Sequence, residues 1–288
     1  MQLMSMFLIY PFIVQTVIGI VVNGYCAYYF AIVTKKIGAF SILASFFLMA
    51  NCFVLLPNLF IVPVEHFDWF HVTLWVNERL GQIALIGYYS GYMARFVLAI
   101  NRYMAIHHYI RYAYYFSNKK VIIIVGCIAV ISIVIVSPAT FADICYFSFD
   151  GLTWQYHDTP VCNFMAKAFD LYLGVVCALA IFSLDIMLIL KMEIRIFVQA
   201  LVSNLYLVLM LLSFHVLEKV YAKTANSKFL MNTFVWNSYH AFDGIFIGLF
   251  HSDVMKHLKT IFRRKNKILS VQQVNTTVRG SRTKPKAS

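Results

Sequence analysis

The stretch GQIALIGYYSGYMARFVLAINRYMAI, residues Gly81–Ile106, is long and apolar enough to cross a lipid bilayer. A helix needs about 20 apolar residues to span the hydrocarbon core. One charged residue, Arg95, interrupts the stretch, and a second, Arg102, lies near its end. Because polar groups are costly in hydrocarbon, we expect the side chain within the stretch to face the interior of a helix bundle.

Six further apolar stretches of similar length occur along the chain. The seven predicted spans are Leu8–Val33, Ser41–Val62, Gly81–Ile106, Val121–Phe141, Phe169–Leu190, Ile196–Val216 and Phe229–Phe250. The composition agrees, since 61% of the 288 residues are hydrophobic and only 12% are charged, against about 25% in soluble domains. The sequence therefore predicts an all-α bundle of seven transmembrane helices.

The distribution of basic residues predicts the orientation of this bundle. Most of the 24 Lys and Arg residues fall in the loops on one side and in the C-terminal segment. Positive residues mark the cytosolic side, so we expect a rhodopsin-like topology with the N-terminus outside and the C-terminus in the cytosol. Most acidic residues, Asp170 among them, are assigned to the outside. The net charge of +12 is thus a topology signal rather than a nucleic-acid footprint.

The residues after position 250 have a basic and an apolar face. Val254, Leu258 and Ile261 would share one side of a short helix, with Lys256 and Lys259 on the other. That spacing suits a helix lying in the inner membrane interface. The predicted units are a seven-span bundle, an interfacial basic helix and a disordered cytosolic tail, at residues 1–250, 251–267 and 268–288.

Four polar residues are predicted to lie at similar depth inside the bundle: Asn23, Asn51, Arg95 and Asp243. We expect them to form a buried polar layer in which Arg95 and Asp243 make an ion pair. Such a layer has two interpretations, because polar side chains can join helices or take part in a conformational switch.

The triplet Asn101-Arg102-Tyr103 ends the third predicted span at the cytosolic face. In seven-helix receptors, an acid-Arg-aromatic triplet at this place gates the cavity that receives the G protein. The alternative is that Arg102 extends its charged end to the membrane interface.

Two of the six cysteines, Cys145 and Cys162, flank the predicted outer loop between spans four and five. Both would face an oxidising compartment, so we expect them to pair and close a loop over the mouth of the bundle; two free thiols are the alternative. The segment Leu74–Tyr92 contains no Cys, which argues against a bridge to the third span. No Cys or His cluster suggests a metal.

Aromatic and polar residues recur in the outer halves of the predicted helices. As pocket walls they would suit a small amphipathic ligand, although any one of them alone could be ordinary packing. The candidate pocket residues are Tyr88, Tyr89, Tyr92, Tyr172, His215, Trp236, Tyr239 and His240.

Enzymatic activity finds no support in the sequence. It contains no GxSxG, HExxH or P-loop motif and no paired carboxylates within a span. A retinal pump would need a Schiff-base lysine in span seven, and Met231–Phe250 contains none. We therefore expect a protein without catalytic activity.

The polar, aromatic and cysteine residues described above, taken together, resemble those of the nematode serpentine chemoreceptors of class X, which are seven-helix G-protein-coupled receptors. Up to the start of span six, the similarity is carried by Gly81-Gln82-Ile83, Leu85, Tyr88, Asn101-Arg102-Tyr103, Ala105-Ile106, Tyr112, Phe116-Ser117, Lys119-Lys120, Cys145-Tyr146, Trp154, Cys162, Phe197 and Gln199. In the seventh span, the most specific stretch, it is carried by Phe229, Thr233-Phe234, Trp236, His240, Asp243-Gly244 and Phe250.

The resemblance implies a receptor at the plasma membrane, in the cilium of a sensory neuron. An external small molecule would bind among spans three, five, six and seven and shift a two-state helix arrangement. A heterotrimeric G protein would then dock on a cytosolic surface formed by Asn101, Arg102, Tyr103, Lys119, Lys120 and Arg195. The expected partners are this ligand, the G protein and the lipid bilayer, with no nucleic acid and no cofactor.

Two features depart from the family pattern. Arg95 stands where the family more usually has His. The family's long basic third inner loop is nearly absent, since Lys191–Arg195 is almost all that remains. Either this loop is truly short, or the predicted transcript has lost an exon. Because a G protein normally engages the inner ends of spans five and six, a non-coupling or degenerate seven-helix membrane protein, or a transporter, is the alternative function.

Overall fold

The computed structural model describes residues 6–34, 38–69, 71–140, 144–188 and 194–261. Six helical stretches in these ranges are long and apolar enough to cross a membrane by length and composition. They are Phe7–Val33, Ala39–Phe67, Leu74–His107, Asn118–Ala139, Pro160–Leu188 and Ala200–Tyr221. A further helix at residues 225–250 follows in chain order. We call these seven helices spans one to seven.

Most spans are built from more than one helical segment. The segments are Met6–Tyr28 and Tyr29–Val33 in span one, Ala39–Phe67 in span two, Leu74–His107 in span three, and Asn118–Val136 with Ser137–Thr140 in span four. Those of the later spans are Pro160–Met165, Ala166–Tyr172 and Leu173–Leu188, then Ile194–Leu212, Ser213–Leu217 and Glu218–Tyr221, then Ala225–Phe229, Leu230–Phe234 and Val235–Phe250.

Span seven is absent from the six most apolar stretches because it carries many polar side chains. Asn232, Asn237, His240 and Asp243 all lie in it and all are buried. Side chains that would be costly in lipid are tolerated here because they face protein. The all-α, seven-span architecture predicted from the apolar stretches is therefore confirmed.

Spans three and five begin further out than the apolar stretches predict, at Leu74 and Pro160 instead of Gly81 and Phe169. Each added segment contains polar side chains, such as Asn77 and Asn163, and each follows a threonine whose hydroxyl accepts a hydrogen bond from the helix. Thr73 accepts from the Val76 amide at 3.4 Å and Thr159 from the Cys162 amide at 3.2 Å. Such caps satisfy the free amides of the first turn and favour a helix that starts there.

Two small elements lie in the loops. A short helix, Tyr109–Tyr115, follows span three. Between spans four and five, the antiparallel strands β1 (Phe147–Phe149) and β2 (Trp154–Tyr156) form a hairpin. We call this the outer hairpin, and we call its end of the bundle the outer end, following the predicted orientation.

The turn of the outer hairpin is stabilised by its own residues. Gly151 adopts a φ of 92°, which a glycine reaches without the steric cost paid by other residues. The Asp150 carboxylate accepts hydrogen bonds from the amides of Leu152 and Thr153, at 2.9 Å and 2.6 Å. The turn is thus stabilised by contacts within the hairpin itself.

Spans two and three are central in the bundle. In their most apolar stretches, 61% and 67% of residues are buried, against 22% in span four. Spans one and seven approach each other closely where small residues meet. A Cβ placed on Gly244 would come within 2.6 Å of the Asn23 side chain, and one on Gly19 within 2.6 Å of Ala241. Small residues of this kind let transmembrane helices pack tightly.

The chain forms two compact units, Met1–Ile247 and Gly248–Ser288. In the second unit, residues 252–261 are helical, and Lys256 forms an exposed ion pair with Asp253 at 3.3 Å. The predicted tail at 268–288 and the end of the predicted interfacial helix lie outside the described residues. The interfacial position of this helix stays a prediction.

Replacing Gly244 with Ala should destabilise the bundle, because the added methyl group would collide with the Asn23 side chain. Overpacking of this kind costs about 1–3 kcal/mol, to be measured as a fall in the unfolding temperature of the purified protein in detergent. Gly24→Ala is the matched control, since nothing lies within 4 Å of a Cβ at that position. Equal unfolding temperatures for the two variants would contradict the close approach.

Candidate functional site

A buried ion pair joins spans three and seven. Arg95 pairs with Asp243, and their side chains are 9% and 2% exposed. Arg95 also has a second partner, since its Nη1 donates to the Ser203 carbonyl at 3.0 Å. The guanidinium lies 5.2 Å from the ring of Phe47 and 5.0 Å from that of Tyr239, where cation–π attraction adds to the pairing.

A chain of amide side chains extends this ion pair towards spans one and two. Asn51 donates to the Asn23 carbonyl oxygen at 3.3 Å, and its own oxygen lies 2.8 Å from His240 Nδ1. Asn23 in turn donates to the backbone carbonyl of His240 at 3.1 Å. Asn51 also interacts with the Asp243 carboxylate. The four residues predicted to share a depth thus belong to one hydrogen-bonded network that links spans one, two, three and seven.

A second ion pair lies further towards the inner end. Arg102 donates to Asp185 on span five at 3.0 Å. The adjacent members of the triplet have local partners, since Asn101 donates to the Tyr112 hydroxyl at 3.1 Å and the Tyr103 ring stacks on His107 at 4.7 Å. Arg102 therefore connects spans three and five in this structure.

A small cavity of about 40 Å³ separates the two ion pairs. It has room for water, since a single water needs about 10–15 Å³. Charged side chains from both ion pairs line it together with apolar ones. The lining residues are Phe47, Arg95, Leu98, Arg102, Ile181, Ala200, Ser203, Asp243 and Ile247.

The remaining residues of the predicted G-protein surface lie in different settings. Lys119 is exposed at the start of span four. Lys120 is engaged locally, because its Nζ donates to the Tyr114 carbonyl at 2.7 Å and lies 3.5 Å from the centre of the Tyr114 ring. Arg195 lies in the first turn of the helix Ile194–Leu212, and its side chain is outside the described part of the chain.

Six of the eight predicted pocket residues form one buried group near the outer end, which we call the outer aromatic cluster. Its members are Tyr88, Tyr89, Tyr92, Trp236, Tyr239 and His240. The Tyr88 ring is central, with centroid distances of 5.4 Å to Tyr92 and 6.1 Å to both Trp236 and His240. The other two candidates differ, since His215 lines a cavity beside this cluster, while Tyr172 is 63% exposed and lies apart from it.

The outer hairpin covers this cluster. Phe147 and Trp154 are buried, and their rings stack at 5.4 Å and lie 6.0 Å and 6.1 Å from Trp236. The hairpin hydroxyl of Tyr156 lies 3.0 Å from that of Tyr89. Burial, and then the nearby Asp170 carboxylate, raise the pKa of Tyr156, so this phenol stays protonated at neutral pH.

Hydrogen bonds from three spans fix the hairpin in place. The Trp154 indole donates to Asn58 on span two at 2.7 Å, and its amide donates to Asn232 on span seven at 3.2 Å. Asn77 on span three bonds both the amide and the carbonyl of Phe149, at 2.9 Å and 2.8 Å. These hydrogen bonds explain why the polar side chains of Asn58, Asn77 and Asn232 are tolerated in the outer halves of these helices.

The base of the hairpin is closed by a disulfide between Cys145 and Cys162, whose Cα atoms lie 5.2 Å apart. The loop that carries the hairpin is therefore tied to the start of span five. This is the pairing expected from the positions of the two cysteines, and it places the loop over the mouth of the bundle.

Two buried carboxylates of span five have no role predicted from the sequence. Asp185 pairs with Arg102. Asp170 is predicted to be one of the outer acids, yet it lies within the helix of span five and is only 4% exposed. An acidic residue inside an apolar stretch is itself a signal of function, and that signal would have identified both.

Removing one partner of the Arg95–Asp243 pair should cost about 3–5 kcal/mol, because the other charge is left buried and unpaired. The Arg95→Met/Asp243→Asn double variant should recover much of this loss, which a double-mutant cycle in detergent would measure. Asp253→Asn is the control, since it removes an exposed pair worth less than about 1 kcal/mol. Losses as small as the control would show that the pair contributes little.

The comparisons with known proteins agree with this architecture. A family model described as "Serpentine type 7TM GPCR chemoreceptor Srx" matches residues 13–193, more than half of the chain. The matched range covers spans one to five, both ion-pair arginines, the outer hairpin and the disulfide. A comparison with curated proteins finds no significant match. On the strength of the family match, the chain belongs to the serpentine seven-transmembrane chemoreceptors of the Srx family.

Proposed function

We propose that this chemoreceptor binds an external small molecule at the outer aromatic cluster and signals to a heterotrimeric G protein through its inner end. The observation that carries this proposal is the line of residues along span three. Tyr88, Arg95 and Arg102 follow each other at intervals of seven residues, which is about two helical turns or 10 Å. All three therefore lie on nearly one face of the helix.

Each of these three residues contacts a different part of the bundle. Tyr88 packs on Trp236 and His240 in the outer aromatic cluster. Arg95 pairs with Asp243, one turn further along span seven from His240. Arg102 pairs with span five. A ligand that moves span seven relative to span three would thus act on the first two contacts directly and on the third through span three.

The Arg102–Asp185 pair is suited to act as a constraint on the inner end. It connects the inner halves of spans three and five, beside a cavity with room for water. Two arrangements of such a pair, closed and open, would give the two states that a ligand can shift by binding one more tightly than the other. The open state would present Asn101, Arg102, Tyr103, Lys119, Lys120 and Arg195 to the G protein.

The expected location is the plasma membrane, in the cilium of a sensory neuron. This follows from the task of a chemoreceptor, which has to meet external molecules. The basic inner loops and basic C-terminal segment support insertion with those regions in the cytosol.

A second candidate function rests on the connection between spans five and six. The described helices Leu173–Leu188 and Ile194–Leu212 are separated in sequence by residues 189–193 alone, which is short for a loop that engages a G protein. A seven-helix protein that does not couple, or a transporter, would need no such loop. In that case the two ion pairs would serve only to join helices.

Asp185→Asn should raise ligand-independent signalling several-fold, because it releases Arg102 from span five. Arg102→Ala should abolish signalling while leaving display at the cell surface intact. The measurement is guanine-nucleotide exchange on co-expressed Gα subunits in membranes, normalised to surface receptor. Asp158→Asn, an exposed acid in the loop after the outer hairpin, is the control and should leave exchange at the wild-type level.

If neither Asp185→Asn nor Arg102→Ala alters exchange at equal surface display, the non-coupling function is favoured. In that case, solute flux that is the same in Arg102→Ala as in the wild type would indicate a transporter.

A further inference from the structure

Among the described residues, the carboxylate of Asp170 is buried without an ion-pair partner. Its side chain lies in span five, and one oxygen, Oδ1, has no hydrogen-bond partner among the described residues. The ion pairs found in the described part of the chain involve Asp185, Asp243 and Asp253, and none involves Asp170. Burying an ionised carboxylate away from water is costly unless a cation compensates it. The cost indicates a site that something else completes.

The partners that Asp170 does have are neutral. The hydroxyls of Tyr89 and Tyr156 interact with its carboxylate. Two phenols can stabilise an anion by donating hydrogen bonds, but they bring no positive charge. Lys167, one turn earlier in the chain, is exposed. The two phenols therefore do not neutralise the Asp170 carboxylate, and the buried carboxylate can still bind a cation.

A small cavity of about 10 Å³ lies beside this carboxylate. Its volume is close to that of one water, which is also the size of an ammonium group. Aromatic rings form much of its wall, and the electron-rich faces of such rings attract cations. The lining residues are Leu85, Tyr88, Phe147, Asp170, Phe214, His215 and Trp236.

The backbone is irregular at the same place. Asp170 lies in the π-helical stretch Ala166–Tyr172, and His215 lies in another, Ser213–Leu217. Such stretches are rare and occur frequently at functional sites. Two further π-helical stretches, Tyr29–Val33 and Leu230–Phe234, contribute no lining residue to this cavity, so the irregular backbone agrees with a site here but does not by itself identify one.

We infer that the outer site recognises a protonated amine, with Asp170 as the anion that binds it and the rings of Tyr88, Phe147 and Trp236 around its cationic group. This inference rests on the proposed function and adds the chemical class of the ligand. The ammonium group would occupy the small cavity and donate to Asp170 Oδ1. An anionic ligand would be repelled there, and a neutral one would leave the carboxylate uncompensated.

The cavity fits the cationic group but not the rest of a ligand. Phe147 of the outer hairpin forms one wall, so the body of the amine would take space that the hairpin now fills. Because the disulfide holds the base of the hairpin at Cys145 and Cys162, the movement would be a displacement of its strands. The site is thus closed in this structure and opens for a ligand from the outer end.

The test uses the purified full-length receptor in lipid nanodiscs. Three amines, methylamine, benzylamine and 2-phenylethylamine, are compared with the uncharged 2-phenylethanol, and binding is measured as the rise in unfolding temperature with concentration. We expect saturable stabilisation by at least one amine and none by 2-phenylethanol. Asp170→Asn should weaken amine binding at least tenfold, while Asp158→Asn, an exposed acid of the same loop region, should leave it unchanged.

A second readout separates binding from a structural role. With no amine present, Asp170→Asn should unfold at a higher temperature than the wild type, because the uncompensated charge is gone. A lower unfolding temperature, with amine binding retained, would make Asp170 a structural partner of Tyr89 and Tyr156 and overturn the inference. Absence of stabilisation by all three amines, or equal stabilisation by 2-phenylethanol, would overturn it as well. If Asp170→Asn does not fold, the comparison of the amines with 2-phenylethanol on the wild type decides.

The hypothesis on the ligand class and the hypothesis on the receptor function can be contradicted independently of each other. If Asp185→Asn raises nucleotide exchange but no amine binds, the receptor stands and the amine is wrong. If an amine binds through Asp170 but exchange does not respond to Asp185→Asn, the binding site stands and coupling is wrong.

Discussion

The rest of the structure depends on the pairing of Arg95 with Asp243 in the middle of the bundle. A charge in hydrocarbon is tolerated only when protein surrounds and neutralises it, so spans three and seven have to keep these two side chains in contact. The network of Asn23, Asn51 and His240 then fixes spans one and two against the same point. Spans that contribute polar groups to this centre cannot rotate freely about their axes, and the apolar packing follows from that restriction.

The two ends of the bundle, on either side of this centre, are held together by different contacts. At the outer end, the hairpin fills the space between the helices and brings its own backbone polar groups, which Asn77 and Asn232 satisfy. At the inner end, Arg102 is paired with Asp185 but lies next to a cavity. The outer end is therefore densely connected by hydrogen bonds, while at the inner end the described contact between spans three and five is an ion pair beside a cavity.

The seven spans could be predicted because uncharged apolar stretches of about 20 residues occur mainly in helices that cross a membrane. The shared depth of Arg95 and Asp243 followed from counting residues to the inner ends of their spans. The early start of span three could not be found this way, because a residue such as Asn77 reads as loop until the hairpin that it bonds is known. The hairpin itself is short, and its Phe and Trp residues resemble any apolar loop in a membrane protein.

The orientation of the Tyr172 and Asp170 side chains could not be predicted from the sequence, for another reason. A regular helix has 3.6 residues per turn, and extrapolation along span five assumes that period. The π-helical stretch Ala166–Tyr172 has a wider turn, which rotates the following residues around the axis. Within this stretch Tyr172 is exposed and Asp170 is buried beside Tyr89 and Tyr156, an arrangement that a period of 3.6 residues does not describe.

The closed hairpin has a kinetic consequence. A molecule that binds at the outer aromatic cluster, as proposed, would have to wait for Trp154 to release Asn58 and Asn232, and would have to wait again before it leaves. When a lid has to open, its motion rather than diffusion sets the rates of arrival and departure. A receptor built in this way would average over brief fluctuations in its surroundings and report stimuli that persist.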